Sequence, residues 1–63
     1  MQKGTIKFFN ESRGFGFITL QSSENEIFVH ISGLIDKVRE NDEVVFDVVQ
    51  GPKGLSAVKV KIA

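Results

Sequence analysis

Hydrophobic residues recur with a period of two in five short segments of this chain, and turn-forming residues separate the segments. Successive side chains of a β-strand point to opposite faces, so this period predicts strands and disfavours helices. The predicted strands span residues 4–10, 15–20, 27–31, 44–49 and 55–62. Residues 32–35 fit a single helical turn, and residues 36–42 fit a polar connection.

The chain length limits how these strands can be arranged. With 63 residues, of which 41% are hydrophobic, the chain suits one domain spanning residues 1–63 with a small core. An open sheet would leave long unpaired edges, whereas closure removes the edges and buries one face of every strand. We therefore predict an all-β fold in which five antiparallel strands form a closed or partly closed barrel.

The composition excludes several classes of protein. The chain has no cysteine and only one histidine, His30, so we expect neither a disulfide nor a metal site. We find no set of nucleophile, base and orienting group, so we expect no enzyme, no catalytic residue, no cofactor and no small-molecule substrate. No apolar run approaches the ~18 residues of a membrane span, and we expect a cytoplasmic protein without a membrane partner.

Charge is distributed unevenly along the chain, although eight basic residues balance eight acidic residues. The net charge is +2 in residues 1–20 (three basic, one acidic) and −5 in residues 21–50 (two basic, seven acidic). It is +3 in residues 51–63, which carry three lysines. A protein held to nucleic acid by charge alone would be strongly basic overall. Polyanion binding would therefore require a local basic patch and a second source of affinity.

Aromatic residues cluster near the N-terminus, where four of the six phenylalanines lie within residues 8–17. If the second and third strands pair, Phe15, Phe17 and Phe28 share one face with His30. The opposite face carries five aliphatic residues: Ile18, Leu20, Ile27, Val29 and Ile31. We predict that the aliphatic face is the core and that the rings face outward, because burying the rings would expose the aliphatic set.

The remaining strands follow the same alternation. In residues 44–49 the ring of Phe46 shares a face with Val44 and Val48, which predicts a buried ring. Phe8 and Phe9 are adjacent, so they point to opposite faces unless a bulge intervenes. In the fifth strand three aliphatic residues alternate with the lysines of the solvent face: Val58, Val60 and Ile62 with Lys59 and Lys61.

Exposed rings with cations at their rim suit unpaired nucleic acid. Bases stack on aromatic side chains at roughly 1–3 kcal/mol each, and Lys7 and Arg13 flank the rings, where they can meet phosphates. Three rings would supply about 3–9 kcal/mol before association costs, and a dissociation constant of 1 μM corresponds to about 8 kcal/mol. Stacking therefore predicts micromolar binding of single-stranded RNA or DNA despite the zero net charge.

Four segments resemble the cold-shock domain family in order and spacing. Residues 13–18, RGFGFI, resemble its first ribonucleoprotein motif, and residues 27–31, IFVHI, resemble its second. Residues 7–10, KFFN, also match the family pattern, and residues 51–54, GPKG, resemble its last turn. The resemblance implies a five-stranded barrel of the oligonucleotide-binding type. It also implies binding of single-stranded RNA or DNA, as an RNA chaperone or a regulator of transcription or translation.

The resemblance assigns nine residues to nucleic-acid binding: Lys7, Phe8, Phe9, Arg13, Phe15, Phe17, Phe28, His30 and Lys53. Phe15, Phe17 and Phe28 would be the main stacking rings, with Phe8 as another. Phe9 would lie at the edge of the patch. The histidine would stack on a base or hydrogen-bond to it, and the basic residues would meet phosphates or base edges.

Three departures from the family pattern predict weaker binding. Phe8 stands where the family usually has tryptophan, and Ile31 stands where it often has phenylalanine. The loop after the third strand is shorter than usual, and residues 32–42 contain no aromatic residue. We expect fewer bases to be engaged, and a lower affinity, than in a typical member of the family.

Two other functions compete with this interpretation. A protein-interaction barrel would dock a partner on the same exposed rings, but it would not require Lys7, Arg13 and Lys53 around them. A small enzyme is the third alternative, and it lacks a recognisable set of reactive groups. We expect a monomer.

Overall fold

The computed structural model describes residues 1–22, 25–52 and 54–63. They form five strands: β1 Gln2–Asn10, β2 Phe15–Leu20, β3 Glu26–His30, β4 Glu43–Gly51 and β5 Gly54–Ile62. A short 3-10 helix, Ile31–Gly33, follows β3 and replaces the single helical turn predicted one residue later. The five predicted strands are confirmed, and most of them extend one or two residues beyond the predicted bounds.

The strands close into a barrel in the order β1-β2-β3-β5-β4. Four of the pairings are antiparallel, and the pairing of β3 with β5 is parallel. A ring with an odd number of strands cannot alternate direction at every seam, so at least one pairing has to be parallel. The predicted all-β, five-stranded closed barrel is confirmed, and this one parallel seam is its departure from a fully antiparallel arrangement.

The barrel is filled by nine buried hydrophobic residues: Ile6, Ile18, Ile27, Val29, Val38, Val44, Phe46, Ala57 and Val60. Phe46 is the largest of them and is fully buried, as its alternation with Val44 predicts. Ile18 and Val29 lie inside, so the aliphatic face of β2 and β3 is the core. The aromatic face of the same two strands therefore points outward.

Val38 is a core residue that the alternation did not reveal. It lies in the connection between the 3-10 helix and β4, among polar residues, and only 1% of its surface is exposed. Backbone hydrogen bonds hold the start of this connection against β5, where the Ile35 N–H donates to the Val60 carbonyl over 2.7 Å. The predicted polar connection thus contributes one apolar side chain to the core.

Ile31 was predicted to point inward, and that prediction is wrong. β3 ends at His30, and Ile31 begins the 3-10 helix with 48% of its surface exposed. Its N–H donates to the Gly14 carbonyl over 2.8 Å, which turns the chain away from the sheet. The alternation of faces applies only while the backbone stays extended, so it fails at the first residue of the turn.

The uninterrupted alternation predicted for β5 is also wrong. Ile62, the last residue of β5, is 44% exposed, and Val58 is only partly buried. Ala57 and Val60 are buried three residues apart. The register against β4 shifts by one residue at this point, and Lys59 adopts a positive φ of 53°. A β-bulge at Lys59 inserts one residue and reverses the faces that follow it.

Candidate nucleic-acid interface

Four phenylalanine rings meet on the outer surface of β1, β2 and β3, and we call this cluster the aromatic platform: Phe8, Phe15, Phe17 and Phe28. The ring centroids of Phe8 and Phe17 are 5.6 Å apart, and those of Phe17 and Phe28 are 5.9 Å apart. Phe28 and Phe15 stack at 6.0 Å, and Phe15 meets Phe8 edge-on at 6.2 Å. Each ring thus contacts two others, so the platform is a continuous aromatic surface.

Strand register brings these rings together. Phe17 pairs with Phe8 of β1 on one side and with Phe28 of β3 on the other, so the three residues form a row across the strands. In the next row, Phe15 pairs with Asn10 and with His30. The sequence predicted that Phe15, Phe17, Phe28 and His30 share a face, and the pairing of β2 with β3 confirms it.

A bulge in β1 turns the Phe8 side chain to the outer face, where it joins the platform. Ile6 is fully buried, and a regular strand would turn Phe8, two residues later, to the same inner face. The β1–β2 register shifts between Ile6 and Phe8, so Lys7 is the extra residue of a β-bulge. Phe8 therefore points outward with 36% of its surface exposed, and Phe9 turns toward the core.

Gly16 allows β1 to approach β2 closely beside the platform. A Cβ atom at this position would lie 2.3 Å from the Phe8 carbonyl oxygen and 2.6 Å from Cδ2 of Phe9. No side chain fits into that space, so only glycine permits this strand spacing.

Arg13 lies in the turn between β1 and β2, at the Phe15 end of the platform. The Asn10 side chain caps this turn, since its Oδ1 accepts from the Arg13 N–H over 3.2 Å. Gly14 completes the turn with a positive φ of 75°, and its N–H donates to the Asn10 carbonyl over 2.7 Å. Among the residues that the structure describes, no carboxylate forms an ion pair with Arg13.

His30 is held in place by Ser32. The Ser32 N–H donates to His30 Nδ1 over 3.1 Å, and the Ser32 hydroxyl lies 2.9 Å from the same nitrogen. A ring nitrogen that accepts an N–H carries no proton of its own, so in the neutral ring the proton resides on Nε2. The exposed imidazole therefore offers one N–H donor beside Phe15, its cross-strand neighbour.

Lys7 is also on the outer surface, but it has a partner that the sequence did not reveal. Its ammonium group forms an ion pair with Glu26, the first residue of β3. Lys7 belongs to β1, so the pair spans the intervening strand β2. Nineteen residues separate the two in sequence, and only the strand order brings them together. The predicted phosphate contact Lys53 lies outside the described residues.

Comparison with known proteins agrees with this architecture. The model of the 'Cold-shock' DNA-binding domain matches residues 2–63. The chain belongs to this cold-shock domain family. It is 48% identical to cold shock-like protein CspJ of Salmonella typhimurium, over 90% of this chain and 87% of that protein. It is 41% identical to the major cold shock protein of Micrococcus luteus, over 95% of this chain and 96% of that protein.

A solved structure shows the same fold. Drosophila Unr CSD456 superposes with a TM-score of 0.78 at 35% sequence identity and covers 98% of this chain. The chain corresponds to 26% of that longer structure. The similarity thus extends over nearly all of this chain and over about a quarter of the Unr chain.

Phe9 lies apart from the platform of this cold-shock domain. Its ring packs against the core and lines an open groove of about 440 Å³ with Ile31, Leu34 and Val38. The predicted patch-edge residue thus lines a neighbouring groove, whose walls also carry the charged residues Glu11, Asp36 and Lys37. Its participation in nucleic-acid binding remains a prediction.

A second cleft adjoins the opposite side of the platform, and it includes residues that the sequence analysis did not select. This cleft, of about 580 Å³, is lined by Phe17, Phe28 and the β4–β5 hairpin residues Gly51, Pro52, Leu55 and Ser56. Leu55 is 51% exposed there, and Ser56 pairs with Phe28. In the sequence, this cleft was indicated only by an apolar residue, Leu55, directly after the GPKG turn.

Two further findings complete the description of the cold-shock domain. Among the described residues, no three acidic, histidine or cysteine side chains are grouped closely enough to hold a metal ion. No helix formed by these residues has the length and apolar character needed to cross a membrane.

Proposed function

We propose that this cold-shock domain binds unpaired RNA or DNA by stacking bases on the aromatic platform, and that it acts as an RNA chaperone or a regulator of transcription or translation. The observation that carries the proposal is the continuous contact of four phenylalanine rings on the outer face of a closed barrel. In a monomer, the aromatic platform would be accessible to a nucleic-acid strand.

Stacking supplies most of the affinity in this proposal. Each base stacked on a ring contributes roughly 1–3 kcal/mol, so three or four rings supply about 3–12 kcal/mol before association costs. Stacking tolerates every base, because every base has a flat π-face. Double-stranded nucleic acid hides these faces, so the protein selects single strands.

Polar groups around the platform orient the bound strand. Arg13 meets phosphate at the Phe15 end, and Lys7 and Lys53 are further phosphate contacts. His30 donates from Nε2 to a base oxygen. Phe9 is a contact at the periphery.

A chaperone effect follows from mass action. A protein that binds the unpaired form of an RNA shifts the equilibrium of a weak hairpin toward the open strand. Neither hydrolysis nor a cofactor is needed, so the proposed function requires no catalysis. The proposed place of action is the cytoplasm.

A titration with a short oligo-pyrimidine strand and with the matching duplex tests the proposal. We expect micromolar binding of the strand, little binding of the duplex, and NMR shifts at Phe15, Phe17, Phe28 and His30. Equal binding of duplex and strand would contradict stacking. No binding at high micromolar strand would favour the protein-interaction barrel on the same aromatic platform.

A melting experiment tests the chaperone step separately. The protein should lower the midpoint of a marginally stable RNA hairpin, with an effect that grows with protein concentration. The variant Phe17→Ala serves as the control, because a protein with one stacking ring fewer should lower the midpoint less at the same concentration.

A further inference from the structure

We infer that Ser32 is a positioning residue for nucleic-acid binding, because it holds the imidazole of His30 in one orientation and one tautomer and so fixes the N–H donor that the ring presents to a bound strand. The inference rests on the proposed function and deepens it. Ser32 lies outside the predicted contacts, and its effect on binding passes through His30 alone.

Two donors of Ser32 converge on one nitrogen of the ring. The backbone nitrogen of Ser32 lies 3.1 Å from His30 Nδ1, and the hydroxyl oxygen lies 2.9 Å from the same atom. The first contact caps the 3-10 helix Ile31–Gly33, with the His30 side chain as the acceptor. A half-turn of the ring about its Cβ–Cγ bond would move Nδ1 away and break both contacts, so Ser32 selects one of the two ring orientations.

The same two contacts select the tautomer. The backbone N–H can only donate, so Nδ1 must offer its lone pair and carries no proton. The hydroxyl of Ser32 therefore donates to Nδ1 as well. In the neutral ring the proton lies on Nε2, at the far edge of an exposed side chain. In the other tautomer Nε2 would be an acceptor, so the hydrogen-bonding character of this edge depends on Ser32.

Ser32 can hold the ring because its own backbone is fixed. The Ile31 N–H donates to the Gly14 carbonyl over 2.8 Å, which joins the 3-10 helix to the β1–β2 turn. At Gly33 a Cβ atom would lie 2.8 Å from the Ala57 carbonyl oxygen, so the helix packs directly on the backbone of β5. Ser32 is thus anchored on both sides.

The position of His30 makes this order relevant to a bound strand. His30 pairs with Phe15, and Phe15 stacks on Phe28 within the aromatic platform. A base stacked on Phe15 would therefore lie next to the imidazole. An exposed side chain that is ordered only on binding lowers the affinity, whereas the contacts to Ser32 order this ring beforehand.

Two substitutions of Ser32 test the inference. Ser32→Ala removes the hydroxyl, and Ser32→Thr retains a hydroxyl at the same position. We expect Ser32→Ala to weaken binding of an oligo-pyrimidine strand about two- to tenfold, which corresponds to the loss of one hydrogen bond, and Ser32→Thr to bind like the wild type. Ser22→Ala is the matched control and should leave the affinity unchanged. Ser22 is also exposed, but it follows the end of β2 remote from Phe15 and lies beside Met1 and Gln2.

The ring nitrogens of His30 give a readout that a purely structural role would not change. The chain has one histidine, so the NMR signals of these nitrogens are assigned directly. At a pH of about 8, where a free imidazole is neutral, the wild type and Ser32→Thr should show a bare Nδ1 and a protonated Nε2. Ser32→Ala keeps only the backbone donor, so the fraction of the Nδ1–H tautomer should increase. This measurement uses the free protein and does not depend on strand binding.

A double-mutant cycle with His30→Ala tests whether Ser32 acts through the ring. In the His30→Ala background, Ser32→Ala should have no further effect on affinity, because no imidazole remains to be positioned. Thermal unfolding of each variant verifies that the barrel is intact.

Three outcomes would overturn the inference while leaving the proposed function in place. Wild-type affinity of Ser32→Ala would show that the order of the ring does not affect binding. An equal loss with and without the imidazole would show that Ser32 contacts the strand itself. A loss of affinity with unchanged nitrogen signals, or without rescue by Ser32→Thr, would show a different cause. If the wild type binds no single strand, the proposed function fails and the inference fails with it.

Discussion

Phe17 and Phe46 are the same residue type in adjoining parts of one small barrel, and they serve opposite purposes. Phe46 is fully buried and fills the core, while Phe17 contacts two other rings on the outer surface. The face of the strand determines the difference. Substituting each ring should therefore separate binding from stability.

Replacing Phe17 by alanine should weaken single-strand binding by about 1–3 kcal/mol, because one stacking surface is lost. The fold should persist, since the aliphatic residues on the opposite face of β2 remain. Fluorescence anisotropy with a labelled oligo-pyrimidine measures the loss. Ile62→Ala, which removes an exposed apolar residue at the end of β5, is the control and should leave affinity unchanged. Unfolding of the Phe17 variant would show that the ring is structural.

Replacing Phe46 by alanine should reduce the free energy of unfolding by about 3–5 kcal/mol, because it leaves a cavity in the core. That loss is a large fraction of the total stability of so short a chain. Urea unfolding followed by circular dichroism measures it. A variant with wild-type stability would contradict the assignment of Phe46 to the core.

Side-chain parity was sufficient to place most of these residues from sequence. Phe15, Phe17 and Phe28 lie outside and Ile18 and Val29 inside, because a regular strand alternates strictly. The burial of Val38 was missed, since a single apolar residue in a polar connection has no periodicity. The Lys7–Glu26 pair was missed because it depends on strand order alone.

The two β-bulges could not be predicted from the alternation of hydrophobic residues along the strands. The one in β1 at Lys7 moves Phe8 outward, and the one in β5 at Lys59 buries Ala57 and Val60. Each inserts one residue and reverses the faces beyond it. The outward position of Phe8 thus depends on the backbone as much as on the residue type.

Gly16→Ala should disrupt the contact between β1 and β2 on which the platform depends. The added Cβ would lie 2.3 Å from a backbone oxygen of β1, so the strands must separate. We expect a loss of about 1–3 kcal/mol of stability and a measurable loss of strand affinity. Gly51→Ala is the matched control for stability, because its Cβ would meet atoms no closer than 3.5 Å. Equal losses of stability from the two substitutions would contradict this account.

The molecule as a whole has no net charge, so we expect stacking, and not counterion release, to supply most of its affinity. Only three basic residues, Lys7, Arg13 and Lys53, are proposed to contact phosphate. The acidic middle of the chain, residues 21–50, provides the compensating negative charge. Binding should therefore respond weakly to salt.

We expect the slope of log K against log salt to be no steeper than about −2, which corresponds to about three phosphate contacts on a single strand. Titrations at several salt concentrations measure the slope. Phe17→Ala should lower the affinity at every salt concentration without altering the slope, since stacking carries no charge. A slope much steeper than −2 would identify charge as the main source of affinity.

The single parallel pairing, between β3 and β5, predicts where the barrel opens locally. Among the described residues, only two pairs, Phe28 with Ser56 and Val29 with Ala57, join β3 to β5 directly. Local opening of a protein begins where few hydrogen bonds hold the backbone, so amide exchange should be fastest along this join. The cleft between Phe28 and Leu55 lies over the same join, and a base seated there would touch both edges. Bound nucleic acid would then hold β3 and β5 together. The β3–β5 pairing would open less often, and its amides would exchange more slowly, in the complex than in the free protein.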